Sequence, residues 1–104
     1  MKKCFKIPLK MKEIRHFELF GEEFLVQDIT FLNFSYIIIY TCDRFDLKEL
    51  CEKFKSSQTF QKIDGIVFKT PSSMTVFSYL KRKVSAEFAT ELMLKILTQK
   101  MCCF

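Results

Sequence analysis

Few side chains in this 104-residue chain are placed to do chemistry. His16 is its single histidine, so the sequence offers no second imidazole for a proton relay or a histidine metal site. The five cysteines contain no Cys-x-x-Cys pair, the usual start of a zinc site, and two glycines cannot build a phosphate-binding loop. We therefore expect no enzymatic activity, no catalytic residue, no metal and no cofactor.

The cysteines indicate a reducing compartment, because their number is odd and their spacing resembles no disulfide framework. No run approaches the roughly 20 apolar residues of a membrane helix, and lysines interrupt the apolar part of the N-terminal segment. We expect a cytoplasmic protein, with the nucleus as a second compartment. A prenylation box needs cysteine fourth from the end, where this chain has Met101, so we interpret Cys102-Cys103 as a frayed helix end.

Basic and aromatic residues are the candidates for binding. The net charge is +5, and part of it is concentrated in the loop Lys81-Arg82-Lys83. Such a loop favours an acidic partner, either a protein face or nucleic acid. The preceding segment carries Phe77 and Tyr79, and RNA-binding sheets stack bases on aromatic side chains. We name these five residues as candidate partner-binding residues and expect a protein partner, with nucleic acid as the alternative.

The chain contains thirteen phenylalanines. A small core has limited room for so many rings, and aromatic surface left outside the core is typical of a contact site. The alternative is a core that is simply rich in phenylalanine.

The first half of the chain has the pattern of β-strands. Segment 14–20 mixes apolar and polar residues without helical spacing and ends at Gly21. Segment 24–32 follows a period-two pattern, with Leu25, Ile29 and Phe31 on one side, and Asn33 comes after it. The run 34–41 is β-branched and aromatic at almost every position, as expected of a central strand covered on both faces.

The second half alternates helix and strand. Leu47, Leu50, Cys51 and Phe54 form the apolar stripe of a short helix, with Asp46 as its N-cap. Asp64-Gly65 predicts a hairpin between 60–63 and 66–69. The remaining expected elements are a turn at 70–73, a strand at 74–80 and a C-terminal helix at 86–100 capped by Ser85. We predict one α+β domain over residues 1–104, with a mainly antiparallel sheet of about six strands and two helices.

The order of these segments carries a family resemblance. Phe17-Glu18-Leu19-Phe20 precedes two strands, and the short helix after them has a Leu-x-x-Leu-Cys core. The strand 75–80 is then followed by Phe88-Ala89 at the start of the last helix. In this succession the chain resembles the small proteasome-assembly chaperones, in particular the fourth chaperone of the third–fourth heterodimer. The resemblance implies a non-enzymatic chaperone that pairs with a related small subunit and guides α-subunits into the 20S proteasome ring.

Two other classes of protein have similar size and composition. A roadblock-like or longin-like scaffold would serve a small GTPase or a trafficking complex. A small RNA-binding or ribosome-associated factor would use the positive charge and would show a steep salt dependence of binding.

Overall fold

The computed structural model describes residues 9–79 and 86–98. Along the chain the elements are β1 (Lys10–Leu19), β2 (Glu22–Phe31), β3 (Phe34–Tyr40), α1 (Leu47–Ser56), a 3-10 turn (Gln58–Phe60), β4 (Gly65–Lys69), β5 (Met74–Ser78) and α2 (Ala86–Leu97).

The strands form one sheet in sequential order, β1-β2-β3-β4-β5. The pairs β1–β2, β2–β3 and β4–β5 are antiparallel, whereas β3 and β4 are parallel. Parallel neighbours need a crossover connection, and α1 supplies it. The predicted α+β class is confirmed, with five strands in the described residues instead of about six.

The hairpin predicted at Asp64-Gly65 is wrong. Residues 58–60 form the 3-10 turn, and Gly65 begins β4 instead of turning the chain. The Asp64 carboxylate accepts a hydrogen bond from the Ser35 N–H at 2.8 Å, and the Asp64 N–H donates to the Ser35 carbonyl at 2.6 Å. These bonds place residue 64 beside the start of β3, so long-range pairing overrides the local preference of the Asp-Gly pair.

Two tight turns occur instead at Phe20-Gly21 and Leu32-Asn33. All four residues have positive φ, between 53° and 79°. Each pair connects directly opposed strand ends, Leu19 with Glu22 and Phe31 with Phe34. Two-residue loops with positive φ at both positions are type I′ turns, whose twist matches that of the flanking strands.

Each face of the sheet carries its own apolar core because side chains alternate along a strand. Ile37 and Ile39 of β3 pack on the α1 side, and Tyr36 and Ile38 pack on the α2 side. The α1 side is rich in phenylalanine; its buried rings are Phe24, Phe54, Phe60 and Phe68.

The short helix begins as predicted. Asp46 Oδ1 accepts from the backbone N–H groups of Lys48 at 3.1 Å and Glu49 at 3.4 Å, which satisfies two donors of the first turn. The predicted turn at 70–73 is also confirmed, by the bond from the Thr70 N–H to the Ser73 carbonyl. The second helix extends to Leu97, and its predicted cap, Ser85, lies outside the described residues.

Neither α1 nor α2, the two α-helices of the described residues, has the length and apolar character that crossing a bilayer requires.

Candidate protein-binding surfaces

Phe77 and Tyr79, two of the predicted binding residues, lie together on the α1 side of the sheet. Both are half-buried and pack against the core formed with α1. The Phe77 ring meets the Phe68 ring edge-on, with 5.7 Å between centroids. Their rings therefore contribute to the packing between the sheet and α1.

Tyr79 also connects the end of β5 to α1 through its hydroxyl. The hydroxyl oxygen lies 3.2 Å from Cys51 Sγ, and Lys55 Nζ lies 5.0 Å from the ring centroid. Burial raises the pKa of the Cys51 thiol, which the hydrogen bond with Tyr79 partly opposes. Burial, followed by that same hydrogen bond, raises the pKa of Tyr79 as well. Both groups are therefore neutral at physiological pH and help to pack the core.

The other predicted binding residues, Lys81, Arg82 and Lys83, lie outside the described residues, as do Cys102 and Cys103. In the sequence these three residues lie between Tyr79 and Ala86, that is, between β5 and α2.

His16 lies on β1 with its imidazole largely exposed. Its Nδ1 is 3.3 Å from a carboxylate oxygen of Glu23, which is exposed to a similar degree. Within residues 9–79 and 86–98, no cluster of three or more histidine, cysteine, aspartate or glutamate side chains is arranged to hold a metal ion.

The first candidate surface is the part of β1 and β2 that faces the α2 side of the sheet. Opposed residues share a face, so the pairing of His16 with Leu25 and of Leu25 with Tyr40 places these three side chains on one side. Ile14 lies two residues from His16 on the same face. Ile14 is 50% exposed and Leu25 is 39% exposed. We call Ile14, His16, Glu23 and Leu25 the β1–β2 surface.

The second candidate surface is a groove on the α1 side, between the Phe20-Gly21 turn and the start of α1. Its apolar lining residues are Leu19, Phe20, Phe24, Phe45 and Leu50, and its volume is about 200 Å³. Phe20 stands at the edge with 70% of its surface exposed. Lys53 Nζ of α1 lies 5.2 Å from the centroid of the Phe20 ring, across the groove.

Charged side chains surround this groove. Glu22, Asp46 and Glu49 line it, together with a single cation, Lys53. Glu22 Oε1 lies 3.3 Å from Nη2 of Arg44, but both side chains are about half exposed or more, so the pair contributes little. Arg44 also lies over the Phe45 ring, 4.3 Å from its centroid. Three carboxylates therefore face two cations around the groove, and the rim is weakly acidic.

Neither surface was predicted from the sequence. The exposure of Ile14 and Leu25 depends on how far α2 covers the sheet, which strand patterns do not encode. The sequence did contain one signal for the groove: Gly21, between Phe20 and Glu22, is typical of a two-residue turn. Such a turn places the aromatic ring of Phe20 at a position that normally carries asparagine, aspartate or glycine.

Comparison of the chain with protein-family models, with curated proteins and with solved structures gave no match.

Proposed function

We propose that this protein is a non-enzymatic, protein-binding assembly chaperone. It pairs with a related small subunit to form a heterodimer, and this heterodimer assists the assembly of the 20S proteasome α-ring in the cytoplasm. The β1–β2 surface is the pairing face, and the basic loop Lys81-Arg82-Lys83 contacts the client.

The exposure of Ile14 and Leu25 is the observation that carries this proposal. These two branched apolar side chains lie diagonally to each other on the sheet and remain substantially exposed, although α2 covers other residues on the same side. Exposed apolar side chains on a flat sheet are suited to a second sheet or helix. The polar pair His16–Glu23 beside them resembles the polar rim that surrounds the apolar centre of protein interfaces.

The order of elements supports the assignment to assembly chaperones. Three strands precede a short helix with the Leu-x-x-Leu-Cys core, and β5 precedes the C-terminal helix that opens with Phe88-Ala89. This is the succession on which the family resemblance rests. A fold hosts many functions, so the partner must be identified by experiment.

The three basic residues Lys81, Arg82 and Lys83 support the proposed contact with an acidic client. Three adjacent cations raise the rate of encounter with an acidic protein face, and this effect weakens as the ionic strength rises. A chain in which Lys81, Arg82 and Lys83 are all reversed to glutamate should bind the client less, and its remaining binding should depend less on salt. Unchanged client binding with unchanged salt dependence would remove the loop from the mechanism.

Affinity purification of the tagged chain from the cells that express it, at mild salt, tests the function. Mass spectrometry should identify a second small chaperone together with proteasome α-subunits. Recovery of ribosomal proteins with RNA would favour the RNA-binding alternative, and recovery of a GTPase would favour the scaffold alternative. Either result would overturn the proposal.

Two variants locate the pairing face. The double change Ile14→Ser and Leu25→Ser should release the small subunit without unfolding the chain, because both side chains are exposed. A Leu94→Ser chain loses a comparable apolar side chain from an exposed position on α2 and should retain the subunit. Retention by the double variant would exclude the β1–β2 surface as the pairing face.

A further inference from the structure

We infer that the groove between the Phe20-Gly21 turn and α1 binds a short segment of a partner protein in which a lysine or arginine lies next to an apolar side chain. The groove is on the α1 side of the sheet, opposite the β1–β2 surface. We therefore expect binding there to be separable from subunit pairing.

The size of the groove indicates a side chain as its occupant. Small-molecule sites usually enclose about 300–1,000 Å³. The cavity here measures about 200 Å³ and is formed on the apolar side by Leu19, Phe24, Phe45 and Leu50. This space suits one large apolar side chain from a peptide that lies along the surface.

The turn holds the exposed ring of Phe20 at an energetic cost. Its φ of 53° is unfavourable for a bulky residue and costs about 1–2 kcal/mol relative to an unstrained conformation. Because the ring is exposed, its burial offsets little of this energetic cost. Strained residues persist where the surrounding structure holds them, and they are common at ligand clamps. Here the β1–β2 pairing fixes the turn, and the ring forms one wall of the groove.

Charge identifies the occupant. The N-terminus of α1 points into this region and carries a partial positive charge of about half an elementary charge. Asp46 caps it, and Glu49 and Glu22 add two further carboxylates. Lys53 lines the groove and Arg44 pairs with Glu22, so the carboxylates exceed the cations by one. Among the described residues, Glu49 forms no ion pair. The net potential therefore favours a cationic side chain whose apolar neighbour enters the groove.

Selection from a random-peptide display library on the purified chain tests the inference. Recovered peptides should be enriched in lysine or arginine adjacent to a leucine, isoleucine or aromatic residue. A fluorescently labelled recovered peptide should bind in anisotropy titrations, with an affinity that falls between 50 and 300 mM NaCl, roughly the range over which the Debye length shortens from about 14 to 6 Å.

Three variants assign that binding to the groove. Glu49→Lys and Phe20→Asn should each weaken it at least about tenfold, since one reverses a rim charge and the other removes a wall. Leu32→Asn is the matched control, because Leu32 has the same φ of 53° at the opposite end of β2 and should leave the affinity within about twofold.

Several results would overturn the inference. These are a library that yields no binder, recovered peptides that are acidic or lack basic residues, and binding that Glu49→Lys and Phe20→Asn leave unchanged. Acidic peptides in particular would show that the helix N-terminus dominates the groove.

Discussion

The ring of Tyr36 occupies the space that a side chain at residue 65 would need. Tyr36 and Gly65 are directly opposed in the parallel β3–β4 pair. A Cβ built on Gly65 would collide with this ring and with the Phe77 carbonyl oxygen of β5. Glycine is thus required at position 65 by packing in the centre of the sheet, since its φ is not positive.

Gly65→Ala should therefore lower the free energy of unfolding by about 1–3 kcal/mol, the usual cost of overpacking. Urea denaturation followed by circular dichroism measures this difference. Gly21→Ala is the control, in which the loss of stability has a different cause. A Cβ there meets no atom within 4 Å, but the φ of 79° is unfavourable for alanine. It should cost about 1 kcal/mol. A Gly65→Ala chain as stable as wild type would contradict the packing at this position.

Relief of strain at the two type I′ turns should stabilise the chain. Asparagine tolerates positive φ better than a bulky apolar residue, so Leu32→Asn should add about 1 kcal/mol to the free energy of unfolding. Phe20→Asn should add slightly less, because it also removes the contact with Lys53, worth about 0.5 kcal/mol at an exposed site.

Thermal unfolding should show these gains as a rise in Tm of about 4–8 °C for each kcal/mol. If both substitutions lower Tm, the two turns are not strained at Phe20 and Leu32.

Asp43 should titrate below its usual range. Hydrogen bonds from Ser72, whose Oγ lies 2.6 Å from Asp43 Oδ1, and from Thr70 lower the pKa of this exposed carboxyl. Its folded-state pKa lies below its unfolded-state value. The stabilising contribution is therefore present above the unfolded-state pKa and is lost as the pH falls through the folded-state pKa.

Ser72→Ala should move the pKa of Asp43 upward toward the ordinary aspartate value. Carbon-detected NMR titration of the carboxyl group measures the change directly. A titration curve identical to that of the wild-type chain would show that Ser72 does not set this pKa.

Cys51 should react with iodoacetamide more slowly than Cys42 in the native protein. Cys51 is buried and its thiol pKa is raised by that burial, so little thiolate is present, whereas Cys42 is partly exposed. Peptide mass spectrometry after timed alkylation at pH 8 gives both rates, and labelling in urea supplies the control in which the two should converge. Faster labelling of Cys51 in the native protein would contradict its packing against Tyr79.

Sequence patterns predicted the elements that local chemistry controls. The β-branched run of β3 and the stripe of α1 with its Asp46 cap lie where the sequence indicated, because alternation and capping are properties of neighbouring residues. The Asp64-Gly65 prediction was wrong because its partners are distant: Ser35 binds Asp64, and Tyr36 covers Gly65.

The candidate surfaces were harder to predict from the sequence for a related reason. Exposure at Ile14 and Leu25 follows from the position of a helix more than 60 residues later in the chain. The groove needs the β1–β2 turn and the start of α1 side by side, and no local spacing predicts that juxtaposition.

We expect the parallel β3–β4 pair to divide the described chain into two cooperative units. The β1–β2–β3 meander and the β4–β5 hairpin can each form through short loops, whereas joining them brings together Ser35 and Asp64, which are separated by 29 positions in the sequence. We expect that closure to limit the folding rate. Amide exchange should then reveal β4 and β5 opening together as one foldon that detaches from a meander still intact.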